Sequence, residues 1–345
     1  MKPTTLDLFY KLSKPLIFGL KLDAEFMHRL ATKQIMKLKE GYTPPKFSRL
    51  SSKLFDHEFS YPLMLAAGFD KNGTIVDKVH TLGFNGEVVG SVTAQPSKGN
   101  KRPRLWRLIK DKATINRMGL DNDGAEAVGE KLENLEEKVS FAVSIAKTND
   151  PKIMGDKAID DYLTSYKLLK HLGVYTEINI SCPNTEDGKT FENPEYLKLL
   201  LKGLLSTDKG KPLLIKISPF LEEELLQEIV NVSDNKVDGY VAINAIPVIH
   251  PKYGRGGKSG LPLQEEAILT IKTLRKFTDK PIIGSGGIFT GEDAYNFLNA
   301  GANLLQGFTG FIYRGPLYAI KVAGELDEVL KRKDLNIKEI KRYLH

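Results

Sequence analysis

The sequence predicts one closed (β/α)8 barrel behind a short helical extension, and three observations predict it. Eight short apolar segments follow residue 46: near Pro62–Ala67, Glu87–Val92, Phe141–Ala146, Thr176–Ser181, Pro212–Ile217, Gly239–Asn244, Pro281–Ser285 and Asn303–Phe308. Each is followed by a longer stretch of helical periodicity, and this alternation argues for parallel pairing, because parallel strands need a crossover. Glycine and polar residues gather at the C-terminal ends of the eight segments while their bodies stay apolar. Those ends are where a barrel of this kind carries its function. A doubly wound open sheet is the rival arrangement.

Residues 1–46 form the extension and residues 47–345 the barrel, with the loop Gly41-Tyr-Thr-Pro-Pro-Lys46 as the boundary. Two amphipathic helices are expected before it, over about residues 5–20 and 23–39. The first carries Leu8, Phe9, Leu12, Leu16, Ile17 and Leu20; the second carries Phe26, Met27, Leu30, Ile35, Met36 and Leu38. Pro15 is expected to kink the first. The extension holds nine Lys/Arg against four acids, a net +5 of the +7 carried by the whole chain. Such asymmetry implies an anionic surface as partner, membrane or nucleic acid, and the sequence holds no nucleic-acid module to support the latter.

No apolar run approaches the roughly 20 residues of a membrane-spanning helix. The first residues lack the cleavage pattern of a signal peptide, so the protein is expected to work where it is made, or next to it. Its one cysteine, Cys182, excludes an internal disulfide and a cysteine-ligated iron–sulfur cluster. No metal site is expected.

The strand ends give the candidate site. Gly286 and Gly287 end the seventh segment, and Phe308-Thr309-Gly310 end the eighth, where barrels commonly cradle a phosphate. Ser259 and Gly260 follow the sixth segment and could add a donor. The plainer reading is that these glycines only make tight turns. Gly254-Arg-Gly-Gly-Lys-Ser-Gly260 lacks P-loop spacing, and no dinucleotide fingerprint follows the first strand. A phosphate cradle without that fingerprint points to a mononucleotide cofactor.

Lys71 and Lys216 end the first and fifth segments. An isolated lysine is usually solvated, but Lys216 in Leu214-Ile-Lys-Ile217 either points into the barrel or needs a partner. Cys182 stands between Asn179 and Asn184 at the fourth strand end. A lone cysteine is commonly a small buried apolar residue. With its reference pKa near 8.5 lowered by its surroundings, it could instead supply a thiolate base, and flanking asparagines suit a cyclic imide or amide.

These residues together resemble the dihydroorotate dehydrogenase family over nearly the whole chain. The likeness is carried by Ala66-Ala-Gly-Phe-Asp-Lys71, Gly99-Asn-Lys-Arg-Pro-Arg-Leu-Trp-Arg-Leu108, Ile115-Asn-Arg-Met-Gly119, Asn179-Ile-Ser-Cys-Pro-Asn-Thr185, Pro281-Ile-Ile-Gly-Ser-Gly-Gly-Ile288 and Gly310-Phe-Ile-Tyr-Arg-Gly-Pro316. The resemblance implies FMN and the oxidation of (S)-dihydroorotate to orotate in pyrimidine biosynthesis. It implies that Lys71, Asn116, Asn179, Asn184 and Asn244 hold the substrate, with Arg117, Met118, Gly119, Leu120 and Ala245 beside them. It implies a flavin lined by Ala67, Gly68, Lys71, Ser91, Ser144, Asn179, Lys216, Ile243, Gly260, Gly286, Gly287, Phe308 and Thr309, and Cys182 as catalytic base.

The two helices before residue 46 look like the extension of the quinone-linked, membrane-associated class. That likeness implies quinone as acceptor, His28 and Arg107 at its entrance, and peripheral attachment to the cytoplasmic face of the cell membrane. Against the class, Cys182 stands where Ser is usual. Ser144 replaces Asn, Ile243 replaces Thr, Phe308 replaces Tyr and Asp121 replaces Asn, while Ala245 removes a hydroxyl. Ile243 and Ala245 motivate a second reading, a related flavoprotein acting on another dihydropyrimidine or using a soluble acceptor such as fumarate. Ser144 and Phe308 motivate a third, a flavin-free scaffold for phosphorylated ligands or membranes.

Overall fold

The computed structural model describes residues 1–39, 43–135, 140–181, 191–208 and 210–340 of the chain. Helices α1 (Pro3–Gly19) and α2 (Ala24–Ile35) come first, then a hairpin of β1 (Ser52–Leu54) and β2 (His57–Phe59). The barrel begins with β3 (Leu63–Leu65) and β4 (Glu87–Val92). After β4 a second hairpin, β5 (Leu105–Leu108) and β6 (Ala113–Asn116), precedes α3 (Ala125–Glu133). Next come β7 (Phe141–Ile145), α4 (Asp156–Leu169), β8 (Thr176–Asn179), α5 (Pro194–Leu205), β9 (Leu213–Ile217), α6 (Glu223–Ser233) and β10 (Gly239–Ala242). A third hairpin, β11 (Ile246–His250) and β12 (Gly254–Gly260), leads to α7 (Gln264–Arg275) and β13 (Ile282–Ser285). Then follow α8 (Gly291–Asn299), β14 (Leu304–Gly307), α9 (Thr309–Arg314) and α10 (Tyr318–Arg332).

All eight expected barrel strands are present, and they close in the order β10-β13-β14-β3-β4-β7-β8-β9 through parallel pairs. The expected helix after the first strand is not there. Between β3 and β4 the chain makes only a 3-10 turn, Val79–Leu82. Two hairpins that the alternation did not foresee, β5–β6 and β11–β12, join as an antiparallel four-stranded sheet in the order β11-β12-β6-β5. Their glycine-rich and charged sequences carry little strand periodicity, which hid them.

The barrel interior is a filled core. Met64, Val88, Ala142, Leu214, Val241, Ile283 and Leu304 pack there, and Leu54 and Phe59 of the β1–β2 hairpin join the same cluster. Because side chains alternate along a strand, the next inward positions after Ala142, Leu214 and Leu304 are Ser144, Lys216 and Gln306, all buried. The core is therefore apolar in one layer and polar in the next, toward the C-terminal ends.

The extension packs directly on the barrel. Buried Asp7 of α1 accepts from Lys321 Nζ at 2.8 Å, and Lys14 Nζ donates to the Tyr313 carbonyl at 2.7 Å. Asp23 caps α2 by accepting from Phe26 N at 2.6 Å. Pro15 lies inside helix α1, which continues to Gly19. Leu8, Phe9, Leu12, Leu16 and Leu20, mostly spaced by four, are all exposed. Their apolar stripe faces away from the core. Among the described residues, no helix is long and apolar enough to cross a membrane.

Candidate active site

A cavity opens at the C-terminal ends of the strands, with residues of the four-stranded sheet and of α2 in its walls. One end is built from glycine backbone. Gly286 and Gly287 after β13, Gly260 of β12, and Thr309 and Gly310 after β14 line it. Gly287 has φ +71°, and a Cβ there would stand 2.9 Å from the Gly260 carbonyl oxygen. Gly260 has φ +112°, and its Cβ would meet Ala113 Cα at 2.8 Å. Neither position accepts a side chain without moving backbone. Beside them the buried Thr309 hydroxyl has no hydrogen-bond partner among the described residues. Such an orphan needs a ligand or water to satisfy it.

The floor is a connected polar layer. Lys216 Nζ lies 3.2 Å from Glu177 Oε1, and Gln306 Nε2 donates to the other Glu177 oxygen at 2.9 Å. The same Gln306 nitrogen donates to the Tyr175 hydroxyl at 3.1 Å, while its Oε1 is left without a partner. Burial drives the Tyr175 phenol far up, so it stays protonated. A buried cation with one fully buried counter-charge keeps its ammonium in the cavity floor, where Lys216 is a lining residue.

The side wall holds amides. Asn179 Nδ2 donates to Ser91 Oγ at 3.1 Å, and Ser91 Oγ shares a proton with Ser144 Oγ at 2.9 Å. Asn244 Nδ2 donates to Asn179 Oδ1 at 3.1 Å and to the Ser181 carbonyl at 3.1 Å. Asn116 Nδ2 reaches the Gly257 carbonyl at 3.3 Å. Each asparagine is thereby fixed by its neighbours while still lining the cavity.

At the mouth, Lys71 Nζ stands 3.7 Å from Asp121 Oδ1. Burial outweighs the opposing pull of Lys71 and Arg104 and leaves the Asp121 carboxyl above its ordinary value. His28 of α2 meets Phe69 edge-on at 4.7 Å, and Phe69 meets Phe308 at 5.9 Å, an aromatic path from the helix to the cavity. Burial, then the nearby Lys71, lowers the His28 pKa to about 4. The ring is thus neutral near pH 7. Its Nε2 lies 2.9 Å from the Phe69 carbonyl, which can only accept, so Nε2 carries the proton and Nδ1 is left as an acceptor.

The cavity unites most of the expected residues. Ala67, Gly68, Lys71, Ser91, Asn116, Met118, Gly119, Leu120, Asn179, Lys216, Ile243, Asn244, Ala245, Gly260, Gly286, Gly287, Phe308, Thr309 and His28 all line it. Three expected residues stand elsewhere. Ser144 is fully buried behind Ser91 and meets the cavity through it. Arg117 turns its guanidinium onto the Trp106 ring, 5.3 Å from the centroid. Arg107 sits over Phe18 at 5.2 Å and donates to the Leu22 carbonyl, at the junction of α1 and α2 rather than in the cavity wall. Cys182 and Asn184 lie outside the described residues.

Glu177, Gln306 and Arg104 were not anticipated. The signal for Glu177 was available: Glu177 and Asn179 alternate on one strand, so both face the interior. Arg104 carried no such signal, since its charged partners Glu25 and Asp121 lie on segments that only the fold brings together.

Fold and site together define a (β/α)8-barrel protein whose mouth joins a cradle of glycine backbone to a wall of asparagines and a lysine. The dihydroorotate dehydrogenase family profile matches residues 49–330. A protein of Haloarcula marismortui named dihydroorotate dehydrogenase (quinone) is 37% identical over 336 residues, covering 93% of this chain and 95% of that one. One of the same name from Trichodesmium erythraeum is 35% identical, covering 96% and 97%. A crystal structure of DHODH from Eimeria tenella in complex with ferulenol superposes with a TM-score of 0.84 at 30% identity, covering 95% of this chain and 98% of that one. This chain belongs to the dihydroorotate dehydrogenase family.

Proposed function

We propose that the chain oxidises (S)-dihydroorotate to orotate in pyrimidine biosynthesis, with FMN as its prosthetic group and a quinone as acceptor. The observation that carries this reading is a single cavity lined both by the glycine backbone of Gly260, Gly286 and Gly287 and by fixed asparagines with Lys71. FMN suits the residues present. The orphaned Thr309 hydroxyl and Gln306 carbonyl await a partner, and Gly260 and Gly287 keep backbone clear where a phosphate would approach. When bound, FMN supplies a two-electron acceptor.

The chain's own residues do the rest. Lys216, anchored by Glu177, would present fixed positive charge to a bound flavin. Ser91 and Asn179 offer polar contacts beside it. Lys71 takes the substrate carboxylate, and Asn116, Asn179, Asn184 and Asn244 take the ring amides. Cys182, next to the Ser181 carbonyl that Asn244 grips, removes the C5 proton. Holding both reactants in one geometry makes the step effectively unimolecular.

The basic helices α1 and α2 rest on the cytoplasmic face of the membrane by their apolar stripe, and quinone passes His28, Phe69 and Phe308 to reach the cavity. The test is an anaerobic titration. The purified protein should be yellow, release about one FMN per chain on denaturation, and lose its flavin absorbance with dihydroorotate. Quinone should restore that absorbance faster than fumarate or NAD. If other donors reduce the flavin and dihydroorotate does not, the substrate assignment fails.

A further inference from the structure

Asp121 stands behind Lys71 and does not itself line the cavity. Its Oδ2 accepts from Arg104 at 2.9 Å. Arg104 cannot swing away, because its other donors are taken. Two bonds go to Glu25, at 3.2 and 3.0 Å, and the rest to the carbonyls of Lys98, Asn100 and Met118. Asp121 is therefore pinned through one oxygen, while its buried Oδ1 has no hydrogen bond among the described residues and lies 3.7 Å from the Lys71 ammonium. An ammonium with a resident anion on one side attracts a second anion less strongly on the other.

We infer that Asp121 is a positioning residue that sets how tightly Lys71 holds a carboxylate ligand, weakening the grip on substrate and product alike. The inference rests on the reading that Lys71 takes the substrate carboxylate. Its consequence is chemical: the product orotate keeps the same carboxylate, so an unopposed lysine would retain it. A resident acid favours release, at the cost of substrate affinity. Asparagine at this position would keep an acceptor for Arg104 and remove the charge.

The test uses the FMN-loaded enzyme and orotate, with the dissociation constant measured by calorimetry. Asp121→Asn should bind orotate roughly tenfold more tightly, the order expected of one charge beside a partly solvated ion. The gain should shrink in high salt, and KM for dihydroorotate should fall with it. In a Lys71→Gln background the same substitution should give a clearly smaller gain, because only the direct repulsion between Asp121 and the carboxylate is then relieved. A merely structural role predicts the opposite sign, because loosening the site weakens binding. Unchanged or weaker orotate binding in Asp121→Asn, with flavin content and melting temperature preserved, overturns the inference. If Lys71→Gln alone leaves orotate affinity intact, the reading of Lys71 fails first and the inference falls with it.

Discussion

Both carboxylate oxygens of Glu25 accept from the Arg104 guanidinium, at 3.0 and 3.2 Å, and both residues are buried. The pair ties α2 to the segments that carry Asn116 and Leu120. Burial alone would raise the Glu25 carboxyl; Arg104 and Arg102 outweigh it and hold the group below its ordinary value. Removing one partner of such a pair leaves a buried charge uncompensated, which costs about 3–5 kcal/mol. Glu25→Gln should therefore lower the denaturant midpoint, and the unfolding free energy by less than that figure, because Asp121 still pairs with Arg104. Deletion of residues 1–44 should be harsher, since it also strips Asp7 from Lys321. A midpoint unchanged in Glu25→Gln would show that the extension is only loosely held.

His28 gives the protein a signature in acid. Its folded pKa is about 4, against about 6.5 for a free histidine, because burial disfavours the charged ring. Between those values the unfolded chain takes up a proton and the folded chain does not. Stability from His28 is thus complete above pH 6.5 and is lost as pH falls toward 4, by at most about 3 kcal/mol. Denaturant midpoints of the wild type and His28→Gln at pH 7.5, 5.5 and 4.5 would measure it. The wild type should lose ground relative to the variant as pH drops, and parallel curves would refute the assignment.

The barrel was legible because its strands are short, apolar and separated by helical periods. Gly286, Gly287 and Thr309 were legible because function in this fold sits at strand ends. The four-stranded sheet was not, since Gly254-Arg-Gly-Gly-Lys-Ser-Gly260 has no strand periodicity yet pairs with β6 from Gly257 to Gly260. Side-chain direction was legible only within strands, where alternation fixes it; Arg107 and Arg117 lie on or beside β5 and β6, and their long side chains found aromatic rings instead. The Asp121 substitution, odd in sequence, has a physical place between Lys71 and Arg104. For Ile243 and Ala245, which both line the cavity, nothing in the structure explains the change.

Cys182 follows a residue that is well fixed: Ser181 Oγ donates to the Lys216 carbonyl at 3.2 Å, and Asn244 Nδ2 reaches Ser181 Oγ at 3.0 Å. A base there must lose its proton to act, and a thiol near pKa 8.5 does so far more readily than a hydroxyl. Cys182→Ala should abolish flavin reduction by dihydroorotate while FMN stays bound. Cys182→Ser should retain part of the rate, with the rise of its pH profile moved to higher pH. Full activity in the alanine variant would remove Cys182 from the mechanism.

The exposed stripe on α1 is the strongest sign of a surface partner. Leu12 is 71% and Phe9 63% exposed, on a helix whose polar Asp7 is buried instead. That inversion leaves apolar area in water, while the exposed basic residues Lys2 and Lys21 belong to the same segment. An anionic bilayer satisfies both features, with apolar side chains below the headgroups and ammonium groups among them. Replacing Phe9 and Leu12 together by Glu should greatly reduce co-sedimentation with vesicles containing anionic lipid. Because neither side chain is buried, flavin content and reduction by dihydroorotate should stay unchanged, while turnover with a membrane-dissolved quinone should fall. Salt should weaken wild-type binding only in part, since the apolar contribution is not screened. Undiminished vesicle binding by the double variant would move the membrane contact away from this stripe.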